Sequence, residues 1–226
     1  MKEVKLLSLI SKEDQDEIRR IFTERLREEV NVIIFTQEFE CDYCKESRML
    51  LTELAQLSNG KVKVQVYDFV KDNTKAQEFK INKIPATLIM GDKLYGIRYF
   101  RIPSGYEFSS LIDDIIDVSN RATRLANSTK EKLKQINKPV NIQVFVTPTC
   151  PYCPRAVRLA HQFAMESQFI EADMIESIEF PQLANKYEVM AVPKIVINDS
   201  ISFEGALPEP QFLDQVLLAL EERERT

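Results

Sequence analysis

Thr147-Pro148-Thr149-Cys150-Pro151-Tyr152-Cys153-Pro154 is the stretch whose reading decides the fold. A β-branched and aromatic run, residues 142–147, leads into it, and a helical pattern over 155–167 leads out. Two cysteines separated by two residues therefore sit where a strand gives way to the first turn of a helix. A thiol there faces unpaired backbone N–H groups and the positive end of the helix dipole, which stabilise its thiolate. A bridge from Cys150 to Cys153 closes a loop so short that it restricts the unfolded chain little, making it a poor staple. The pair reads as a bond made to be broken and remade.

Outward from this stretch the C-terminal half falls into order. Ser128 with Glu131 forms a capping box that opens a helix ending at Ile136. Residues 140–146 form a strand, 169–175 the next strand and 181–187 a short helix. Val192-Pro193-Lys194-Ile195-Val196-Ile197 is a strand with proline near its start, where a strand tolerates it. Asn198-Asp199 turns into a last strand, 201–204, and a last helix covers 210–221. The acidic run from Glu221 to Glu224 reads as a solvated helix end.

The N-terminal half has the same order. Ser11 caps a helix whose apolar stripe is Ile18, Ile21, Phe22 and Leu26 and which ends near Glu29. The run 31–36 has no internal polar residue and suits a central strand covered on both faces. Cys41-Asp42-Tyr43-Cys44 follows, then a helix to about Ser58, closed by Asn59-Gly60. Val62, Val64 and Val66 alternate with polar residues in a half-buried strand, 61–69, and 73–79 is a short helix. Ile84-Pro85-Ala86-Thr87-Leu88-Ile89-Met90 is a strand, Gly91-Asp92 a turn, 94–99 a strand and 108–118 a closing helix. Cys41 and Cys150 are 109 residues apart, and Pro85 and Pro193 are 108 apart. Two markers of one register that agree within a residue indicate a duplicated domain-sized unit, 1–119 and 120–226, with the boundary in the polar stretch 119–127. The fold class is α/β: two tandem units, each a mixed β-sheet flanked by helices, with right-handed β-α-β crossovers.

Composition narrows the function. A net charge of −5 over 226 residues gives no reason to expect nucleic acid or an anionic membrane as partner. The charged start, residues 1–10, has too short an apolar run for a signal peptide, and no segment reaches the length of a membrane helix. The chain reads as soluble and cytoplasmic. All four cysteines lie in two CxxC motifs, which in a cytosolic protein are more often catalytic or metal-bound than structural. Zinc knuckles place their CxxC pairs about 15–20 residues apart, unlike the spacing here.

A CxxC that follows an apolar strand and opens a helix, with an apolar-Pro dipeptide some way after it, resembles the thioredoxin fold. Cys150-Pro151-Tyr152-Cys153 is similar to the glutaredoxin active site. Two such units without an inserted domain resemble the protein disulfide oxidoreductases of hyperthermophilic archaea and bacteria. Residues 144–154, 189–197 and Tyr95-Gly96-Ile97-Arg98-Tyr99-Phe100-Arg101-Ile102-Pro103-Ser104-Gly105 carry that likeness most closely, and it covers nearly the whole chain. The resemblance implies that Cys41 and Cys150 are exposed nucleophiles and that Cys44 and Cys153 are buried resolving thiols. It implies cis bonds at Pro85 and Pro193, packed against the disulfides. It implies making, breaking and reshuffling of disulfides in protein substrates, as part of electron transport and cell redox homeostasis.

The loops ending in Lys83-Ile84 and Ala191-Val192 offer backbone to an extended substrate segment, and Tyr43 and Tyr152 are partly exposed substrate contacts. No cofactor is expected beyond the Cys41–Cys44 and Cys150–Cys153 disulfides, and no metal. Unlike thioredoxins proper, the chain has Glu40 and Thr149 before the motifs and no acid on the strands leading to them. Asp68 and Glu176, on the following strands, are candidates for taking the resolving thiol's proton, against the reading of both as solvated strand residues. His161 lies about 16 Å along the helix from Cys150 at 1.5 Å per residue and reads as a surface or packing residue. Three functions remain open on the residues: a thiol–disulfide exchange enzyme, a redox-inert module that holds unfolded chains, and a zinc-bound structural protein. Within the first, the chain is either an oxidant or isomerase for protein disulfides and dithiols, or a reductant fed by a thioredoxin reductase and feeding a peroxiredoxin.

Overall fold

The computed structural model describes residues 8–225 and repeats one order of elements twice. The first pass is α1 (Lys12–Arg25), β1 (Val30–Thr36), α2 (Cys44–Gln56), β2 (Val62–Asp68), α3 (Asn73–Glu78), β3 (Ala86–Met90), β4 (Leu94–Phe100) and α4 (Glu107–Asn120). The second is α5 (Asn127–Lys134), β5 (Val140–Val146), α6 (Cys153–Glu166), β6 (Ile170–Glu176), α7 (Pro181–Lys186), β7 (Lys194–Ile197), β8 (Ile201–Glu204) and α8 (Glu209–Arg225). The start of the chain, residues 1–7, and the side chains of 223–225 lie outside the described residues, so the N-terminal reading and part of the Glu221 to Glu224 run have no structural counterpart here. No helix among the described residues is long and apolar enough to cross a membrane.

Local chemistry accounts for most boundaries. The Ser11 hydroxyl accepts the Asp14 N–H and starts α1. That helix stops at Arg25, short of Glu29, because Leu26 turns extended and feeds the next strand. The capping box expected at Ser128 does not form: Ala126 holds the N-cap position, its N–H donates to Glu209 Oε1 at 2.9 Å, and Glu131 pairs with Lys134. Asn198 and Asp199 both take positive φ, the geometry of a tight hairpin turn between β7 and β8. Val66, placed inward by alternation, is half exposed because β2 is an edge strand.

Within each unit the central strand pairs parallel with the second strand and antiparallel with the third. The two units do not form separate sheets. β4 pairs in parallel with β6, giving one eight-stranded sheet in the order β2-β1-β3-β4-β6-β5-β7-β8. This pairing closes two sheet edges that would otherwise expose unpaired backbone groups. Gly96 permits it: a Cβ there would lie 2.1 Å from the Ile170 carbonyl oxygen. Arg98 crosses the seam to Asp173 at 2.6 Å and to Glu171 at 3.2 Å. On one side of the sheet, α4 packs against α6, where Arg158 binds Asp114 and Asp117, His161 Nδ1 meets Asp114 at 2.6 Å, and the Tyr99 hydroxyl donates to Asp114. That side holds the larger core, with Phe22, Leu54, Leu111, Phe163 and Phe212. The smaller core, with Phe35, Leu88, Phe100, Phe145 and Ile175, lies under α3 and α7.

The pairing directions place the C-terminal ends of β1, β2, β4, β5 and β6 on one sheet edge. β1 and β5 are four strand spacings apart, which is roughly 19 Å at about 4.8 Å per spacing.

Candidate functional site

Both CxxC segments leave the sheet at that edge. In the second unit the Thr147 carbonyl accepts the Cys150 N–H at 3.2 Å and turns the chain into α6. Cys153 is the first residue of α6, and Pro154 occupies the first turn, where a missing N–H costs nothing. Cys150 and Cys153 are bonded, with Cα atoms 5.5 Å apart. The Cys153 N–H lies 3.1 Å from Cys150 Sγ. The Val192 carbonyl oxygen lies 3.7 Å from the same sulfur, and the Val192-Pro193 bond is cis. In the first unit Cys44 opens α2 and is bonded to Cys41, again with Cα atoms 5.5 Å apart. The Gln37 N–H reaches Cys44 Sγ at 3.4 Å. The Ile84-Pro85 bond is cis; Pro85 is buried and Ile84 packs against the smaller core.

Cys44 and Cys153 are buried and Cys41 is partly exposed. Cys150 departs from the exposed position that family resemblance implied, being only 7 % exposed. The Val192 carbonyl stands against its sulfur, and Pro148 two residues before it is held by the other unit, with Tyr106 N–H donating to the Pro148 carbonyl at 3.4 Å. A Cβ on Gly105 would come within 2.5 Å of that carbonyl oxygen, so the contact requires glycine. The first unit thus helps build the second unit's site. Tyr43 and Tyr152 are both exposed beside their disulfides.

The charges around the pairs differ. The first motif carries Glu38, Glu40 and Asp42, of which Glu38 is bound by Arg48 at 2.7 Å and held below the usual carboxylate range by that hydrogen bond. Around the second, Arg155 is exposed, whereas Arg158 turns inward to Asp114 and Asp117 and is not available to Cys150. Asp68 accepts the N–H groups of Lys71 and Val70, which lower its pKa, and so caps the turn after β2. Glu176 is buried and accepts the Glu179 N–H at 2.7 Å. His161 is fully buried between the units, a packing residue and not a surface one.

Residues that sequence reasoning passed over lie between the sites. Arg101 follows β4 and is buried, and Glu107 at the start of α4 is fully buried, its carboxyl pushed up to about 7 by that burial. An arginine just past a strand end and an acid in a first helical turn read as solvated positions, so the only signal was a pair of cations, Arg98 and Arg101, inside one apolar run. Among the described residues, no group of three or more His, Cys, Asp or Glu side chains is arranged to hold a metal, and all four cysteines are paired as disulfides.

Residues 140–218 match the model of a thioredoxin domain family. The crystal structure of a protein disulfide oxidoreductase from Aeropyrum pernix K1 is similar over 91% of this chain and 91% of its own, with 35% identity and a TM-score of 0.86. A thioredoxin of Methanocaldococcus jannaschii is 44% identical over 68 residues, which cover 30% of this chain and 80% of that protein. An alkyl hydroperoxide reductase component of Pseudomonas putida is 24% identical over 174 residues, 76% of this chain and 31% of that protein. The chain spans about a third of the length of such longer curated relatives.

Proposed function

Because the chain belongs to the protein disulfide oxidoreductases of the thioredoxin fold, we propose that Cys41, Cys44, Cys150 and Cys153 are its catalytic residues, acting as two redox pairs on protein substrates. The observation that carries this reading is the second site: a cysteine pair opening a helix, a helix N–H on the first sulfur, and the backbone before a cis proline against it. The sulfur of Cys150 here stands for the thiolate of the reduced form. That thiolate attacks one sulfur of a substrate disulfide, forms a mixed disulfide and releases the other substrate sulfur as a thiolate, which takes a proton. Cys153 then loses its proton and attacks Cys150, and the second substrate thiol leaves. The pair is oxidised and the substrate gains two electrons. The reverse sequence oxidises a substrate dithiol. The exchange needs no group beyond the cysteine pairs.

The substrate class follows from the surface. Among the described residues, every large apolar side chain more than two-thirds exposed, namely Phe39, Val70, Tyr152, Ile178 and Met190, lies in a loop at the edge carrying the two pairs. Exposed apolar groups in such a cluster fit a polypeptide partner. Ile84 with Pro85 and Val192 with Pro193 offer their backbone to an extended segment, and Tyr43 and Tyr152 contact its side chains. The units we assign are 1–119 and 120–226. The likeness to a component of alkyl hydroperoxide reductase supports the reductant direction, with electrons entering from a thioredoxin reductase and leaving to a peroxiredoxin. We place the protein in the cytoplasm, where paired CxxC thiols are catalytic in most cases.

The test is to trap the intermediate. Cys153→Ser, mixed with a disulfide-bonded protein, should accumulate a covalent adduct that dithiothreitol dissolves. No adduct in Cys153→Ser, or an equal adduct yield in Cys150→Ser, which keeps only Cys153 in the second pair, would contradict the reading.

A further inference from the structure

One arginine of the first unit braces the turn that carries Cys150. Arg101 directly follows β4 and Glu176 ends β6, so the last pair between those parallel strands, Phe100 with Ile175, sets the two side by side across the seam. Arg101 Nη1 lies 3.7 Å from Glu176 Oε1, and Arg101 Nε lies 3.4 Å from Glu179 Oε1. The Glu179 N–H donates to the other Glu176 oxygen at 2.7 Å. The side chains of all three are at most 8% exposed, so the guanidinium is fixed in a buried ionic setting. It also donates to its own loop, from Nε to the Ile102 carbonyl and from Nη2 to Ser104 Oγ at 2.9 Å. The Ser104 N–H donates to that same Ile102 carbonyl at 2.8 Å. Residues 101–106 form no helix or strand, so these bonds set the shape of the loop.

The loop so shaped ends on the Cys150 turn. Tyr106 N–H donates to the Pro148 carbonyl at 3.4 Å, and a Cβ on Gly105 would lie 2.5 Å from that oxygen and 3.3 Å from Pro148 Cα. Ile102 packs against the core that contains Cys150 and Cys153. The other end of the turn is tied to the same guanidinium. Glu176 pairs with Val146 in the ladder between β5 and β6, and the Ser177 N–H donates to the Val146 carbonyl at 3.0 Å. Val146 and Pro148 flank Thr147, whose carbonyl accepts the Cys150 N–H at 3.2 Å. Arg101 therefore reaches both neighbours of the residue that starts the turn, through Glu176 on one side and through its own loop on the other. Among the described residues, the segment before Cys41 takes its hydrogen bonds from its own unit, Arg48 on Glu38 and Gln37 on the Glu40 carbonyl.

We propose that Arg101, a residue of the first unit, is a positioning residue for the second redox pair: its fork locks the 102–106 loop onto Pro148 and so holds Cys150 with the Cys153 N–H on its sulfur. This rests on the redox reading of that pair. The N–H lies 3.1 Å from Cys150 Sγ, and an amide so aimed stabilises a thiolate. With the loop slack, the turn carrying Cys150 shifts and the contact is kept for only part of the time. Cys150 then ionises less readily, and the dithiol form of the pair loses stability. Charge alone cannot do this work. A lysine at this position would keep the positive charge beside Glu176 and Glu179 but has no planar fork to hold the Ile102 carbonyl and Ser104 Oγ in fixed geometry.

The test uses the full chain with Cys41→Ser, Cys44→Ser and Cys153→Ser, in which Cys150 is the only thiol and its ionisation is followed by thiolate absorbance. Arg101→Lys should raise the Cys150 midpoint by about half a pH unit. With Cys153 restored, it should shift the glutathione equilibrium of the pair toward the disulfide by up to about threefold. Gly105→Ala leaves every charge in place and pushes against the Pro148 carbonyl, and should move both readings the same way. In the converse background, Cys150→Ser/Cys153→Ser, neither change should move Cys41. A role confined to holding the seam together would lower stability in urea and leave the Cys150 midpoint where it was. That unchanged midpoint in Arg101→Lys, or equal movement at Cys41, overturns the proposal. If Arg101→Lys does not fold, Ser104→Ala, which removes the Nη2 acceptor, takes its place with the same outcomes. Thiol titration needs no turnover, so loss of all exchange activity in the wild type would count against the redox reading while this outcome stayed readable.

Discussion

The backbone N–H of Cys153 points at the sulfur of Cys150 from 3.1 Å, so the first amide of α6 is directed at the outer cysteine of its pair. In the first unit an N–H contact goes instead to the inner cysteine, from Gln37, just past β1, to Cys44 at 3.4 Å. An N–H aimed at a sulfur stabilises its thiolate, and acids beside a thiol oppose it. Cys150 has the amide and lacks the acids; Cys41 has Glu40 and Asp42 as neighbours. Cys150 should therefore titrate below Cys41, by about one pKa unit or less because exposed charges are screened. Thiolate absorbance in single-pair variants measures this. A lower value for Cys41 would contradict it. The more acidic nucleophile also favours the reduced form, so the 150–153 pair should be the more oxidising.

Gly96→Ala tests the seam between the units. Its Cβ would lie 2.1 Å from the Ile170 carbonyl oxygen and 3.1 Å from Glu171 Cα, backbone atoms that cannot step aside cheaply. We expect a loss of about 2–3 kcal/mol or more in urea unfolding, with the β4–β6 pairing opened. Gly60→Ala makes a control, since nothing lies within 4 Å of its added carbon and only its positive φ opposes the change.

The α4–α6 contact is a buried ionic network, and its worth depends on completeness. Asp114→Ala leaves Arg158 without one of its two carboxylates and His161 without its acceptor, and should cost about 3–5 kcal/mol by chemical denaturation. Replacing Asp114, Arg158 and His161 together by apolar residues of similar volume should cost much less.

His161 fixes part of the acid limb of stability. Burial, aided by the nearby Arg158 charge, pushes its pKa down to about 3 from 6.5. Between those values the unfolded chain holds a proton that the folded protein refuses, so stability is lost as pH falls through that window, at about 1.4 kcal/mol per pH unit. Glu107 acts in the opposite sense. Its carboxyl, raised to about 7, keeps a proton that the unfolded chain gives up, so its contribution is lost as pH rises toward 7. Their opposition calls for a difference measurement: stability of the wild type minus that of His161→Gln should climb from pH 4 to 6.5, and a flat difference would rule the assignment out.

Much of this was legible in the residues. The CxxC after an apolar strand, the proline register and the hairpin turns are local signals with fixed chemistry, so both four-stranded repeats follow from the order of residues along the chain. The joining of the two sheets does not, because pairing of β4 with β6 is a contact between distant edges. Its traces were Gly96 and the continuous burial of Ile97, Arg98, Tyr99 and Phe100, which a hairpin at a sheet edge does not require. Ser128 misled for a related reason: Glu209, distant in sequence, supplies the acceptor that displaced its cap. At the sites, the cysteines, tyrosines and prolines were placed by motif. The burial of Cys150 and the Arg101 cluster were not, since both arise from one unit covering the other.

The most direct measurement of the central claim is insulin reduction driven by dithiothreitol, followed in the wild type, in each single-pair serine variant and in the variant with all four cysteines replaced. The account predicts catalysis by the wild type, a larger loss on replacing Cys150 and Cys153 than on replacing Cys41 and Cys44, and the uncatalysed rate when all four are serine. Full activity in the four-serine variant would contradict it.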